Sequence, residues 1–202
     1  MRAMSKGERT RAMILDEALA LSSTDGLAGL TIGSLAERLG MSKSGLFAHF
    51  GSKEQLQAAV IERAGEMFTD VVIRPSLEKP RGLPRVCALF ENWIDWTKGA
   101  GLPGGCPMQS ASLELDDKPG PLRDLVAHQQ DRLRSFIARG VRMAMEEGHL
   151  RPDLDVDQFV FEGISISFGF AMNHRLLNHP DAEQWARNAI RGLVQRSLPD
   201  KT

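Results

Sequence analysis

TIGSLAERLGMSKSGLFAHFGSKEQL, residues 31–56, reads as two short helices joined by a tight turn and followed by the start of a third. Ile32, Leu35, Ala36 and Leu39 recur at helical spacing, so a first helix is expected from about Ile32 to Leu39. Gly40 stands where a left-handed helix stop is wanted. Ser42 suits the N-cap of a second helix over about Lys43 to His49. That helix is expected to bury Leu46 and Phe50 and to expose Lys43, Ser44, Phe47 and His49. Gly51 ends it, and Ser52 with Gln55 has the spacing of a capping box that opens a longer helix. Two short helices about a sharp turn, the second with a polar N-terminal end, form the shape that enters a DNA major groove.

Working outward, a leading helix is expected from about Lys6 to Ser23, with Ile14, Leu15, Ala18, Leu19 and Leu21 as its packing stripe and Gly26 just past its end. The helix opened by Ser52 is expected to run to about Ile73, closed by Pro75. Further helices follow over about Arg85–Lys98, Met108–Leu115, Leu122–Glu147, Asp155–Leu177 and Asp181–Leu198, the last with Pro180 near its first turn. Residues 99–107, GAGLPGGCP, are glycine-rich, but no strand precedes them and no Lys-Ser/Thr pair follows, so they read as a connecting loop. The expectation is an all-α chain of about nine helices, divided at residue 52. Residues 1–52 form a three-helix head, joined by a long helix to a helical body over 53–202.

Bulk properties narrow the function. The longest apolar candidate for a span, Val160–Met172, has 13 residues and contains Glu162, too short and too polar to cross a membrane. Cys87 and Cys106 make no disulfide framework, and a reducing cytoplasm is expected. Twenty-five basic and 26 acidic residues give a net charge of −1. Through residue 55 the cations Arg2, Lys6, Arg9, Arg11, Arg38, Lys43 and Lys53 are nearly matched by Glu8, Asp16, Glu17, Asp25, Glu37 and Glu54. Affinity for DNA must therefore rest on placed contacts and on doubling in a dimer, not on a broad basic field. His49, His128, His149, His174 and His179 have no ligand spacing with Cys or carboxylate, and no nucleophile–base arrangement is legible, so neither a metal, a cofactor nor an enzyme activity is expected.

At Thr31, Ala36, Gly40, Ser42, Leu46, Phe47, His49, Phe50, Lys53, Glu54 and Leu56 the chain resembles the TetR family of one-component transcriptional regulators. The resemblance is specific over about residues 8–60; beyond that it rests on length and helical pattern. It implies a head that binds double-stranded operator DNA and a body that binds a small molecule and forms a homodimer. The position of Phe47 is often Tyr in such proteins, so one expected phosphate hydrogen bond is lost here.

Hydroxyls, ammoniums and helix N-termini suit phosphate oxygens, which assigns Thr31 and Lys53 to the operator backbone. Ser42, Lys43, Ser44, Gly45, Phe47 and His49 lie on or beside the reading helix. Lys43 can donate to guanine or to a phosphate, Gly45 permits close approach, and Phe47 can touch a thymine methyl. The plainer alternatives are that Phe47 is a core aromatic, that Ser42 is only a cap, and that His49 packs against the following helix.

In the body, Phe90, Trp93, Trp96, Met108 and Phe136 are candidate pocket residues, since Met and aromatics adapt to apolar ligands; ordinary core is the alternative. The effector is expected to be mostly apolar, uncharged or weakly anionic. Gly163, Ser167 and Ala171 follow a four-residue row beside Phe170, and Ala186, Ala189 and Leu193 make a matching face on the last helix. Two such pairs would form a two-fold four-helix bundle. The reading is a ligand-responsive repressor released from its operator by a small molecule. The alternatives are a redox-sensing regulator acting through Cys106, or a helical binding protein or enzyme with no DNA role.

Overall fold

The computed structural model describes residues 5–99 and 101–199, and every regular element among them is helical. In chain order these are α1 (Lys6–Gly29), α2 (Ile32–Arg38), α3 (Lys43–Phe50), α4 (Lys53–Phe68), α5 (Arg74–Leu77), α6 (Leu83–Gly99), α7 (Pro107–Glu114), α8 (Pro121–Glu146), α9 (Val156–Ala171) and α10 (Ala182–Arg196). A π turn, Thr69–Ile73, fuses α4 to α5, and a second, Met172–Leu176, extends α9. The described residues thus make nine continuous helical rods.

Pro75 does not close the fourth helix as expected. It lies in the first turn of α5, where a missing N–H costs nothing. The π turn ahead of it makes this possible: the Arg74 N–H reaches back five residues to the Thr69 carbonyl, widening the path before the proline ring. Pro180 likewise falls outside α10, which begins at Ala182. Gly26 does break α1, at φ 71°, with a last turn following it to Gly29.

By packing, the chain divides into two compact units that do not follow the 52/53 split. One takes the residues up to Met67 with Gly101–His128; the other takes the chain from Phe68 through α6 and from Gln129 on. In the first unit Ile14, Leu19, Leu30, Leu35, Leu46, Leu56 and Val60 are buried in one cluster, with Met108, Ala111 and Val126 completing it. The glycine-rich loop reads as the loop it is. It lies on the end of α1, where the Gly104 N–H donates to Ser23 Oγ at 2.9 Å and the Gly105 N–H to the Ser23 carbonyl at 3.2 Å.

In the second unit α6, α9 and α10 pack together around Phe90 and Phe159, whose ring centroids lie 6.4 Å apart. Phe68 stands edge-on to Trp93 at 5.3 Å and to Trp96 at 5.6 Å. Ion pairs join α6 to α10: Arg187 reaches Glu91 and Asp95, and Lys98 meets Glu183 at 2.7 Å. The Glu183 carboxylate holds the Lys98 ammonium above the usual lysine range.

Gly163 is needed inside this unit. A side chain there would overlap the Phe90 ring, so α9 approaches α6 only because the position has no Cβ. We expect Gly163→Leu to lower the folding free energy by at least about 1–3 kcal/mol, the usual cost of overpacking. Phe90→Ala should recover part of that loss in a double-mutant cycle of thermal melts. Additive losses would show that the two positions do not meet.

Candidate nucleic-acid interface

Local chemistry builds the reading element. The Thr31 hydroxyl accepts from the Ser34 N–H at 3.0 Å and caps α2, while the Thr31 N–H donates back to Ser34 Oγ at 3.3 Å. Gly40 turns the chain at φ 61°, and the Met41 N–H closes the turn on the Ala36 carbonyl at 2.9 Å. The Ser42 hydroxyl accepts from the Gly45 N–H at 3.1 Å and starts α3. Leu46 and Phe50 are buried on the inner face. Lys43, Ser44, Phe47 and Ala48 stand exposed on the outer one.

Phe47 is 52% exposed, so it is not a core aromatic. About half of that apolar ring is therefore held out in solvent on a capped, polar helix. Lys43 bends back over the start of α2, with its ammonium 3.7 Å from the point where a Cβ on Gly33 would lie and close to Thr31. Thr31, Lys43 and the Ser42 and Ser44 hydroxyls, 3.3 Å apart, thus fall along one exposed edge.

Three of the expected contact residues also have local roles or surroundings of their own. His49 is half-buried rather than exposed; it borders an open groove of about 470 Å³ with Arg11, Gln55 and Glu62, against the side of α4. Gly45 is small for a local reason as well, because a Cβ there would press on Ser42 Oγ at 3.0 Å. Lys53 is exposed, but its ammonium donates to the Ala28 carbonyl at 3.0 Å and so closes the end of α1. At the start of α4 the Ser52 hydroxyl accepts from the Gln55 N–H at 3.0 Å, whereas the Ser52 N–H turns to the Phe50 carbonyl.

The candidate pocket residues are split between the units. Met108 belongs to the core cluster of the first, whereas Phe90, Trp93, Trp96 and Phe136 belong to the second. Phe90, Trp93 and Trp96 are buried and Phe136 is half-buried. The Trp96 indole N–H is buried with no hydrogen-bond acceptor among the described residues. Cys106 is half-buried at the start of α7, packed against the first unit's core, and burial pushes the Cys87 thiol up.

The expected dimer row also turns inward. Gly163, Ser167, Phe170, Ala171, Ala186 and Leu193 are all buried within the chain itself, and of the seven residues named only Ala189 is exposed. The large apolar groups that α9, its π turn and α10 leave in solvent are others: Phe161, Met172, Leu176 and Trp185. Phe161 and Trp185 lie outside the buried stripes of their helices.

Residues 14–60 match the family described as "Bacterial regulatory proteins, tetR family", and residues 82–190 match "Tetracyclin repressor-like, C-terminal domain". The transcriptional regulator SrpR of Pseudomonas putida is 24% identical over 163 residues, 79% of this chain and 73% of that one. A TetR-family regulator from Cytophaga hutchinsonii superposes with a TM-score of 0.88 at 20% identity, over 99% of this chain and 100% of that one. AibR, solved with isovaleryl coenzyme A and operator DNA, gives 0.72 at 19% identity, over 95% and 99%. The chain belongs to the TetR family. It is a DNA-binding transcriptional regulator. The relatives lend no support to redox sensing through Cys106.

Phe47→Ala should separate reading from folding. Because the ring is exposed, the melt should shift by less than about 0.5 kcal/mol, while affinity for the operator falls in a fluorescence-anisotropy titration. A large loss of stability with unchanged affinity would return Phe47 to the core.

Proposed function

We propose that the protein is a homodimeric repressor that reads a near-palindromic operator and leaves it when a small molecule binds the body. Operator reading resides in residues 1–52 and effector binding with dimerisation in 53–202, although residues 101–128 pack with the head. The observation that carries this reading is the exposed edge formed by Thr31, Ser42, Lys43, Ser44 and Phe47 on a doubly capped helix-turn-helix. Its hydroxyls and ammonium suit phosphate oxygens, and its aromatic ring suits a thymine methyl or sugar carbons. Two such heads reading major grooves one turn apart need half-sites roughly 34–36 Å apart. Sequencing the genomic DNA that the purified protein retains tests the reading directly, since a two-fold site should emerge. On that site Lys43→Ala should flatten the dependence of log affinity on log salt by about one unit per lost phosphate contact.

For dimerisation, the exposed Phe161, Met172, Trp185 and Ala189 are the groups a second copy would cover. The doubly substituted Phe161→Asp, Trp185→Asp chain should sediment as a folded monomer and bind its operator far more weakly. A dimer that persists would move the interface to another face.

For the effector, the aromatic cluster of Phe68, Trp93 and Trp96 supports a mostly apolar molecule. The unpaired Trp96 N–H adds that it carries a hydrogen-bond acceptor such as a carbonyl or carboxylate oxygen. AibR, solved with isovaleryl coenzyme A, is a relative whose ligand joins a short apolar acyl group and a thioester carbonyl to a charged coenzyme A moiety. Effector binding in this reading tilts the α4 rod and changes the distance between the two heads. Trp96→Phe keeps the ring and removes the N–H. It should raise the effector concentration needed for operator release about tenfold, the scale of one buried hydrogen bond, and leave effector-free DNA binding as it was. Unchanged release would make Trp96 plain core.

A further inference from the structure

The turn that leads from α1 into α2 is held by a residue far along the chain. α1 breaks at Gly26, and the Leu27 N–H that follows has no helical carbonyl to meet. It donates instead to Glu114 Oε2 at 2.8 Å, from the last residue of α7, 87 positions away. Gly26 is shaped for the same carboxylate: a Cβ there would sit 2.8 Å from Glu114 Oε2. On the other side of the residue, the Leu27 carbonyl accepts from the buried Gln57 side chain of α4 at 2.5 Å. Leu27 is itself buried, so its backbone is gripped at both polar groups while its side chain is locked in the core. The chain then passes through Leu30 directly into Thr31, the cap of α2.

We infer that Glu114 is a positioning residue for operator reading: through the Leu27 amide it sets the angle at which α2 and α3 leave α1. The argument is one of constraint. α2 has 7 residues and α3 has 8, so neither is stable alone; Leu46 and Phe50 seat α3 in the core, and the entry turn sets the angle at which the chain arrives there. A carboxylate is a strong acceptor for a lone amide, and the loss of a part-buried partner frees the turn to relax. If only a fraction of free molecules then carries the heads in reading geometry, apparent affinity falls by that fraction. Among the described residues the hydrogen bond of Glu114 goes to the Leu27 amide and not to the exposed edge, so its effect reaches the operator through Leu27. Because it lies in the segment matched by the C-terminal family region, it is also a point at which that part of the chain governs the head.

The test uses the full chain and the operator recovered from genomic DNA. Glu114→Gln keeps the length and an acceptor oxygen, and should bind within about twofold of the parent. Glu114→Asp keeps the charge but shortens the arm, and should lose roughly tenfold in affinity, as should Glu114→Ala. All three should keep the parent's salt slope, because no phosphate contact is removed. Hydrogen exchange at the Leu27 amide should quicken in the Asp and Ala chains and not in the Gln chain. The inference is overturned if Gln and Ala shift affinity alike, which would make the effect one of charge. It is equally overturned if the Asp chain binds as the parent does, or if Leu27 exchange is indifferent to all three. The Asp and Gln chains keep the comparison decisive should Glu114→Ala fail to fold.

Discussion

An eight-residue helix has no stability of its own in water, and the element proposed to face DNA is that short. Everything that makes α3 a reading surface follows from the burial of Leu46 and Phe50 in the cluster that also holds Ile14, Leu19, Leu56 and Val60. Two side chains four residues apart fix both the axial position and the rotation of the helix. With that face inward, Lys43, Ser44 and Phe47 have only one direction left to point. Exposing Phe47 forgoes some apolar burial, and the core residues around it supply the stability that lets the molecule carry it.

The second recurring constraint is the satisfaction of helix ends. Short helices have proportionally many terminal N–H and C=O groups, and several of those in the first unit are met by a named partner. Serine and threonine hydroxyls take the N-termini of α1, α2 and α3. The frayed end of α1 is met by Lys53 at the Ala28 carbonyl, Gln57 at the Leu27 carbonyl, and the loop amides of Gly104 and Gly105 at Ser23. A lysine that suits a phosphate is thus already used within the fold, and a glycine-rich run that could suggest a nucleotide loop is a backbone-to-backbone docking strip.

Much of this was legible from residues 31–56, because caps, left-handed glycines and turn closures act over three or four positions. Thr31, Gly40, Ser42 and Gly51 all take the conformations their types imply. Proline was read less well. Pro75 signals a helix end by its own chemistry, and only the π turn before it, set by packing of the following helices, turns that stop into a passage.

The sequence by itself determined the helical class, the reading motif, its capped ends and the inward pair Leu46 and Phe50, since each depends on neighbours a few residues apart. Which face of α9 and α10 is buried was decided by the tertiary structure alone. α9 carries Phe159, Val160, Phe161, Ile164, Ile166, Phe168 and Phe170 around much of its circumference, so periodicity selects no side. In the folded chain the Phe90 ring lies against Gly163, where no Cβ stands in its way, with the small-residue row inward and Phe161 in solvent. The Glu114 contact to Leu27 was equally out of reach, because a hydrogen bond across 87 residues leaves no local trace and exists only once the chain has folded back on α1.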